Sequence, residues 1–99
     1  MFLEIALIEV KVGDEEAFEG AVAQAVPLFA RAKGCGGVRL HRSVEFPSRY
    51  RLVVKWQTVE DHTVAFRSSE DFQEWRRLVG RYFSGTPAVE HTAQVDLGF

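Results

Sequence analysis

One cysteine in 99 residues, Cys35, has no second thiol for an intrachain disulfide and cannot build a cysteine-cluster metal site; that scarcity suits a reducing, cytoplasmic setting. Positive charge is not in excess either. Twelve Lys and Arg stand against fourteen Asp and Glu, a formal net charge of -2, so the chain lacks the basic surplus that nucleic-acid binding requires. No stretch approaches the roughly 18 to 20 apolar residues of a membrane span, and no membrane partner is expected. The opening run Met1–Glu9 places Glu4 and Glu9 where a secretory leader needs a basic start and an unbroken apolar stretch.

The residues present are those of a folded chain: 46% apolar, 12% aromatic and 26% charged. The length fits one domain, residues 1–99. A unit this small buries a modest share of its surface, which makes self-association a natural supplement to its stability.

Read for periodicity, Phe2 to Val12 is a strand with apolar residues on both faces, broken at Gly13. Asp14 is placed to cap the next helix, and Glu15 and Glu16 suit its positive end. Phe18, Val22, Ala25 and Phe29 recur as one helical face, and the helix is expected to kink at Pro27 and fade near Ala32. Lys33–Gly37 is a glycine-rich connection. Val38–Phe46 and Tyr50–Gln57 alternate as two strands joined at Pro47-Ser48-Arg49, an antiparallel hairpin. Thr58, with Asp61 three residues on, marks a short helix to Phe66. Ser69 starts a longer one to Tyr82 whose Phe72, Trp75, Val79 and Tyr82 share a face. Val89, His91, Ala93, Val95 and Leu97 alternate in a last strand.

The order strand, helix, strand, strand, helix, strand predicts an α+β fold of ferredoxin-like β-α-β-β-α-β type, with both helices on one face of the sheet. Apolar residues on both sides of several strands leave the other face needing cover. A second copy packed sheet to sheet, a homodimer, is the simplest cover.

The stretch Leu52–Phe72 carries a strand ending in Trp56, a cap at Thr58, His62 four residues on, Phe66 four further, and a Ser-capped second helix. It resembles the core of the antibiotic biosynthesis monooxygenase family, and the similarity in element order extends to the Glu90-His91 strand. The resemblance implies a dimeric α/β barrel with a pocket in each subunit between sheet and helices. It also implies oxygen chemistry on a small aromatic, polyphenol or quinol-type substrate, in some members with no metal, flavin or haem, so no cofactor is expected. Haem-degrading relatives place an Asn on the first strand and a His after a helical Trp; this chain has neither.

Within that frame His62 is the candidate catalytic base, since an imidazole titrating near neutrality can take a phenolic proton and make the phenol a better electron donor to oxygen. Trp56, Phe66, Phe72 and Trp75 are candidates for an aromatic slot, although residues at such spacing serve equally as plain core. Arg67, and Arg51 if its strand face lines the pocket, are candidates for holding a phenolate or carboxylate. His41, His62 and His91 fit no zinc-binding spacing, and no metal site is expected. Cys35 has Lys33 nearby to lower its pKa but no nucleophile motif around it. Two alternatives use the same pocket: a non-catalytic dimer that binds a small ligand, and a small-molecule isomerase or lyase.

Overall fold

In the computed structural model, which describes residues 1–99, the first strand, β1 (Phe2–Glu9), turns its even-numbered side chains inward. Ala6 and Ile8 are buried there, Val10 continues the phase just beyond, and Glu4 shares it. The strand stops at Glu9 rather than Val12, and Val10 makes only an isolated bridge to Phe83. α1 follows (Glu15–Ala30), then β2 (Cys35–Arg42), β3 (Arg49–Trp56), a π-helical segment (Asp61–Phe66), α2 (Glu70–Val79), a 3₁₀ turn (Gly80–Tyr82) and β4 (Ala88–Ala93). The sheet is antiparallel throughout, in the order β2-β3-β1-β4. This is the ferredoxin-like arrangement that the element order predicts.

The expected helical face of α1 is the one that packs. Phe18, Val22, Ala25 and Phe29 are buried with Ala21 and Leu28. They share a core with Tyr50, Leu52, Val54 and Trp56 of β3, Ala6 and Ile8 of β1, and Trp75 and Val79 of α2, so both helices cover the same face of the sheet. Phe18 is fully buried, its ring 4.9 Å from Tyr50 and 6.5 Å from Phe83.

Several local expectations change. Asp14 precedes α1 but its side chain makes no capping bond; Glu15 instead accepts from the Gly13 amide at 2.9 Å. Pro27 lies inside α1, which ends at Ala30. The hairpin strand β2 ends at Arg42, because Ser43–Ser48 form a longer connection. Ser43 Oγ accepts from the Phe46 amide and Arg42 donates to the Pro47 carbonyl, leaving Val44 and Phe46 exposed. The last strand stops at Ala93, and Val95 and Leu97 stand in solvent with no neighbouring strand to pair with.

Two helix starts follow the sequence reading closely. Asp61 N–H donates to Thr58 Oγ1 at 3.1 Å while Thr58 N–H reaches Asp61 Oδ2 at 3.3 Å, a reciprocal cap. Ser69 Oγ accepts from the Phe72 amide at 3.2 Å and caps α2. The segment between the two is wound as π-helix: the Arg67 amide bonds to the His62 carbonyl five residues back. Gly34 makes this possible. It adopts φ +77°, and a Cβ there would lie 2.0 Å from Asp61 Oδ2, so only glycine lets the Asp61 turn come this close.

The opposite sheet face carries Leu3, Ile5, Leu7 and Val53 in adjacent register, all half-buried. Arg39, Arg51 and Lys55 flank this stripe on the β2 and β3 side, and Glu90 on the β4 side. Arg51 and His41 therefore face away from the helices.

Replacing Phe18 by Ala is expected to cost about 3 to 5 kcal/mol of stability through lost burial and cavity formation. Val44→Ala, at an exposed position, should stay within about 0.5 kcal/mol. Urea unfolding of both variants at one protein concentration checks this contrast.

Candidate active site

The site begins with the phase of β1. Glu4 sits on the core-facing side, opposite Val54 on β3 and His91 on β4, and its side chain enters the space under the helices. A carboxyl group there must find partners or lose its charge. It finds two. Trp56 Nε1–H donates to Glu4 Oε1 at 3.0 Å, and His62 Nε2 lies 3.3 Å from the same oxygen.

His62 is almost wholly buried, at 3% exposure. Its ring stacks on Trp56 at 5.4 Å between centroids and 16° between planes. The other ring nitrogen, Nδ1, is 2.7 Å from Nε2 of His91, which the β1–β4 register brings beside Glu4. A neutral imidazole carries one hydrogen. Placing it on Nε2 turns it toward the carboxyl side and leaves Nδ1 to accept from His91 Nε2–H. His62 thus stands between the Glu4 carboxyl, which it approaches to 3.3 Å, and His91, to which it is hydrogen-bonded.

Glu4 Oε2 takes no part in these bonds, yet no buried side-chain oxygen or nitrogen lacks a partner, so Oε2 is open to the space beside it. That space is a cavity of about 740 Å³. Ala6, Ile8 and Leu52 form its sheet side, Phe72 and Trp75 its helix side, and Glu4, His62 and Arg67 its polar end. Its size is that of a small-molecule site.

Burial sets the protonation of the two acid-base groups. Desolvation raises the Glu4 pKa above the ordinary 4.5, a rise that the Trp56 hydrogen bond and the charge of Arg67 oppose. Desolvation lowers His62 from 6.5 to about 4, helped by the positive charge of Arg67 and by His91. Near neutrality His62 is therefore a neutral ring. It stands between the carboxyl and His91 without a charge of its own.

Of the residues singled out from the sequence, His62, Arg67, Phe72 and Trp75 line the cavity together. Trp56 and Phe66 stand behind the wall rather than in it. Trp56 is fully buried under the His62 ring, and Phe66 packs on Phe29, Trp56 and Phe72. Arg51 and His41 lie on the other sheet face. Cys35 is not activated: burial pushes its thiol pKa up. The three histidines, which fit no zinc-binding spacing in the sequence, include one directly bonded pair, His62 and His91. Glu4 and His91 are the residues that sequence reasoning missed, and the available signal was parity, Glu4 in phase with Ala6 and Ile8, His91 in phase with Val89.

Comparison with known proteins gives concordant matches. Residues 1–78 match the family described as Antibiotic biosynthesis monooxygenase. The uncharacterised Bacillus subtilis (strain 168) protein YczJ is 40% identical over 95 residues, covering 96% of this chain and all of that protein. The crystal structure of a candidate antibiotic biosynthesis monooxygenase from Bordetella bronchiseptica superimposes with a TM-score of 0.94 at 58% identity, covering 95% of this chain and 96% of that one. A counterpart from Nitrosomonas europaea, 21% identical, shares the fold with a TM-score of 0.82 over 97% of this chain and all of its own. No helix is long and apolar enough to cross a membrane.

The lowered His62 pKa has a stability consequence whose sign is fixed. Between pH 6.5 and about 4 the unfolded chain binds a proton at His62 that the folded chain refuses, so stability falls as pH drops through that window. Glu4, with its raised pKa, acts in the opposite sense above pH 4.5. His62→Gln should therefore lose less stability than the parent chain between pH 6.5 and 4. Urea titrations at half-unit pH steps measure it, and parallel curves would remove the assignment.

Proposed function

The chain belongs to the antibiotic biosynthesis monooxygenase family, and from that premise we propose that it is a cofactor-independent monooxygenase acting on a small phenol, polyphenol or quinol. The observation that carries this reading is the unpartnered Oε2 of Glu4, an open oxygen on an otherwise buried side chain, in the wall of a cavity of mixed polar and apolar lining and beside the His62–His91 pair. Oxygen reacts slowly with a neutral phenol and faster with its anion, so the protein's task is to remove one proton in a place that excludes water. Glu4 Oε2 takes the phenolic proton. His62 stands beside the carboxyl and is hydrogen-bonded through Nδ1 to half-buried His91.

Magnitudes favour this division of roles. A phenol titrates near pH 10 and an ordinary Glu near 4.3, a gap that makes transfer steeply uphill. Burial narrows it from the Glu4 side, and the Arg67 guanidinium, which partly offsets that rise, stabilises a phenolate held beside it. The phenolate then passes electrons to O₂. A C–O bond forms at the ring and a C–H bond is lost; one oxygen atom enters the product quinone and the other leaves as water. The substrate supplies all four electrons, so the balance closes with no outside reductant. Phe72 and Trp75 provide aromatic faces against which a planar ring packs.

The same reading includes pairing of two copies through the uncovered sheet face. The Leu3-Ile5-Leu7-Val53 stripe supplies apolar area, and its flanks of opposite charge, Arg39, Arg51 and Lys55 against Glu90, suit a two-fold contact. Ile5→Glu, in the middle of the stripe, should convert a dimer to monomer in light scattering at micromolar concentration. An unchanged dimer mass would place the contact elsewhere.

Oxygen uptake with a panel of hydroquinones and naphthols tests the chemistry. Glu4→Gln, which keeps the Trp56 hydrogen bond, is expected to lower kcat by about 100-fold or more with the fold retained by circular dichroism. It should also abolish the acid limb of kcat/KM, which in the parent enzyme rises with pH through the elevated Glu4 pKa. His62→Ala should lose activity to a comparable degree. Substrate turnover without oxygen uptake would instead mark a proton-transfer isomerase, and absence of any turnover a binding protein.

A further inference from the structure

We propose that Trp56 is the positioning residue of the site: its indole, which is not part of the cavity wall, fixes which oxygen of Glu4 is left free there and the plane in which the His62 ring stands. The inference rests on the reading in which Glu4 Oε2 takes the substrate's proton and adds what holds that oxygen in place.

Sheet register brings the two residues together. Trp56 pairs with Phe2 and Glu4 with Val54, so Trp56 and Glu4 are diagonal neighbours on the core-facing side of adjacent strands, a spacing that long side chains bridge. Trp56 closes β3, an inner strand bonded to β1 on one side and to β2 on the other, which leaves its backbone little freedom. Its side chain is fully buried. An indole N–H is a donor only, and once buried it needs an acceptor. The acceptor is Glu4 Oε1 at 3.0 Å.

That is the only hydrogen bond of the Glu4 side chain; His62 Nε2 stands farther off, 3.3 Å from the same oxygen. A carboxylate has two equivalent oxygens, and rotation about the bond that carries it exchanges them. A fixed donor on one side removes the equivalence, so Oε1 stays with Trp56 and Oε2 is the oxygen left to the cavity. The same ring sets the second member of the site. Trp56 and His62 stack at 5.4 Å between centroids with 16° between planes, which holds the imidazole with Nε2 toward Glu4 and Nδ1 at His91. Phe66 packs on the indole at 5.5 Å and is itself braced by Phe29 at 5.1 Å and Phe72 at 5.8 Å, so the indole cannot swing away without disturbing its aromatic neighbours. One buried side chain thus contacts both acid-base groups while staying out of the space a substrate fills. Its effect on Glu4 has a definite sign: a donor stabilises the charged carboxylate and opposes the rise that burial causes.

Trp56→Phe tests the proposal, because phenylalanine keeps a ring face for His62 and Phe66 and deletes the N–H. In the intact protein, Glu4 is followed by carbon-13 NMR of chain labelled at the Glu side-chain carboxyls, its resonance assigned with Glu4→Gln. In Trp56→Phe the Glu4 titration should move to higher pH, and the acid limb of kcat/KM should move with it. kcat should fall about tenfold or more through lost alignment, while KM stays within about twofold because the indole does not line the cavity. Phe18→Leu, a core truncation whose ring contacts are Tyr50 and Phe83, should lower stability and leave the Glu4 titration where it was. The parent chain gives a reading that needs no change at Trp56: of its two tryptophans, the indole N–H resonance that remains in Trp75→Phe should shift with the Glu4 midpoint. A Glu4 titration unmoved in Trp56→Phe, or an indole resonance indifferent to it, would overturn the inference. A moved titration with no oxygen uptake by the parent would uphold it and reject the monooxygenase reading; uptake by the parent with kcat and the acid limb untouched in Trp56→Phe would do the reverse.

Discussion

Everything in the site depends on one buried carboxyl group. Glu4 enters the core-facing row of β1, and a charged or protonated carboxyl there is tolerable only with hydrogen-bond partners fixed in place. Trp56 supplies one from β3 on Oε1, His62 of the π-helical segment approaches the same oxygen to 3.3 Å, and Oε2 is left without a partner on the cavity wall. The requirement runs outward from there. His62 must be buried to reach Glu4, its burial makes it neutral, and a neutral ring has a lone pair that His91 can fill.

The π-winding and the close approach of Gly34 to Asp61 serve the same constraint. An α-helical turn starting at the Thr58 cap would hold the chain by i to i+4 bonds alone. The wider Arg67–His62 bond lets the turn carry His62 and Phe66 inward and still deliver Ser69 as the cap of α2. Asp61, buried against Gly34, pins the start of that turn to the loop that opens β2.

Much of this was legible in the sequence. The helix faces, the Thr58 and Ser69 caps and the order of elements follow from local periodicity and capping chemistry, and local chemistry is what the structure uses. His62, Arg67, Phe72 and Trp75 were legible as a group because they lie within fourteen residues of chain. Glu4 and His91 were not. Each looks ordinary in its own strand, and they become neighbours only through the β1–β4 register, a pairing of residues nearly ninety apart that no local pattern encodes. Trp56 and Phe66 were placed in the wall because aromatic type reveals affinity for rings but not depth. The cap at Asp14 failed for a smaller reason: the adjacent Glu15 reached back to Gly13 instead.

β4 borders the sheet and has only β1 as a neighbour, yet it carries His91, the hydrogen-bond partner of His62. Edge strands with one partner are where a folded protein opens first. Fraying there would detach His91 while the helices, the cavity and the Glu4–Trp56 contact stay whole. On warming, the His62–His91 contact would be lost before the molecule melts, so the integrity of the site and the foldedness of the chain would part company at a temperature set by a six-residue border strand.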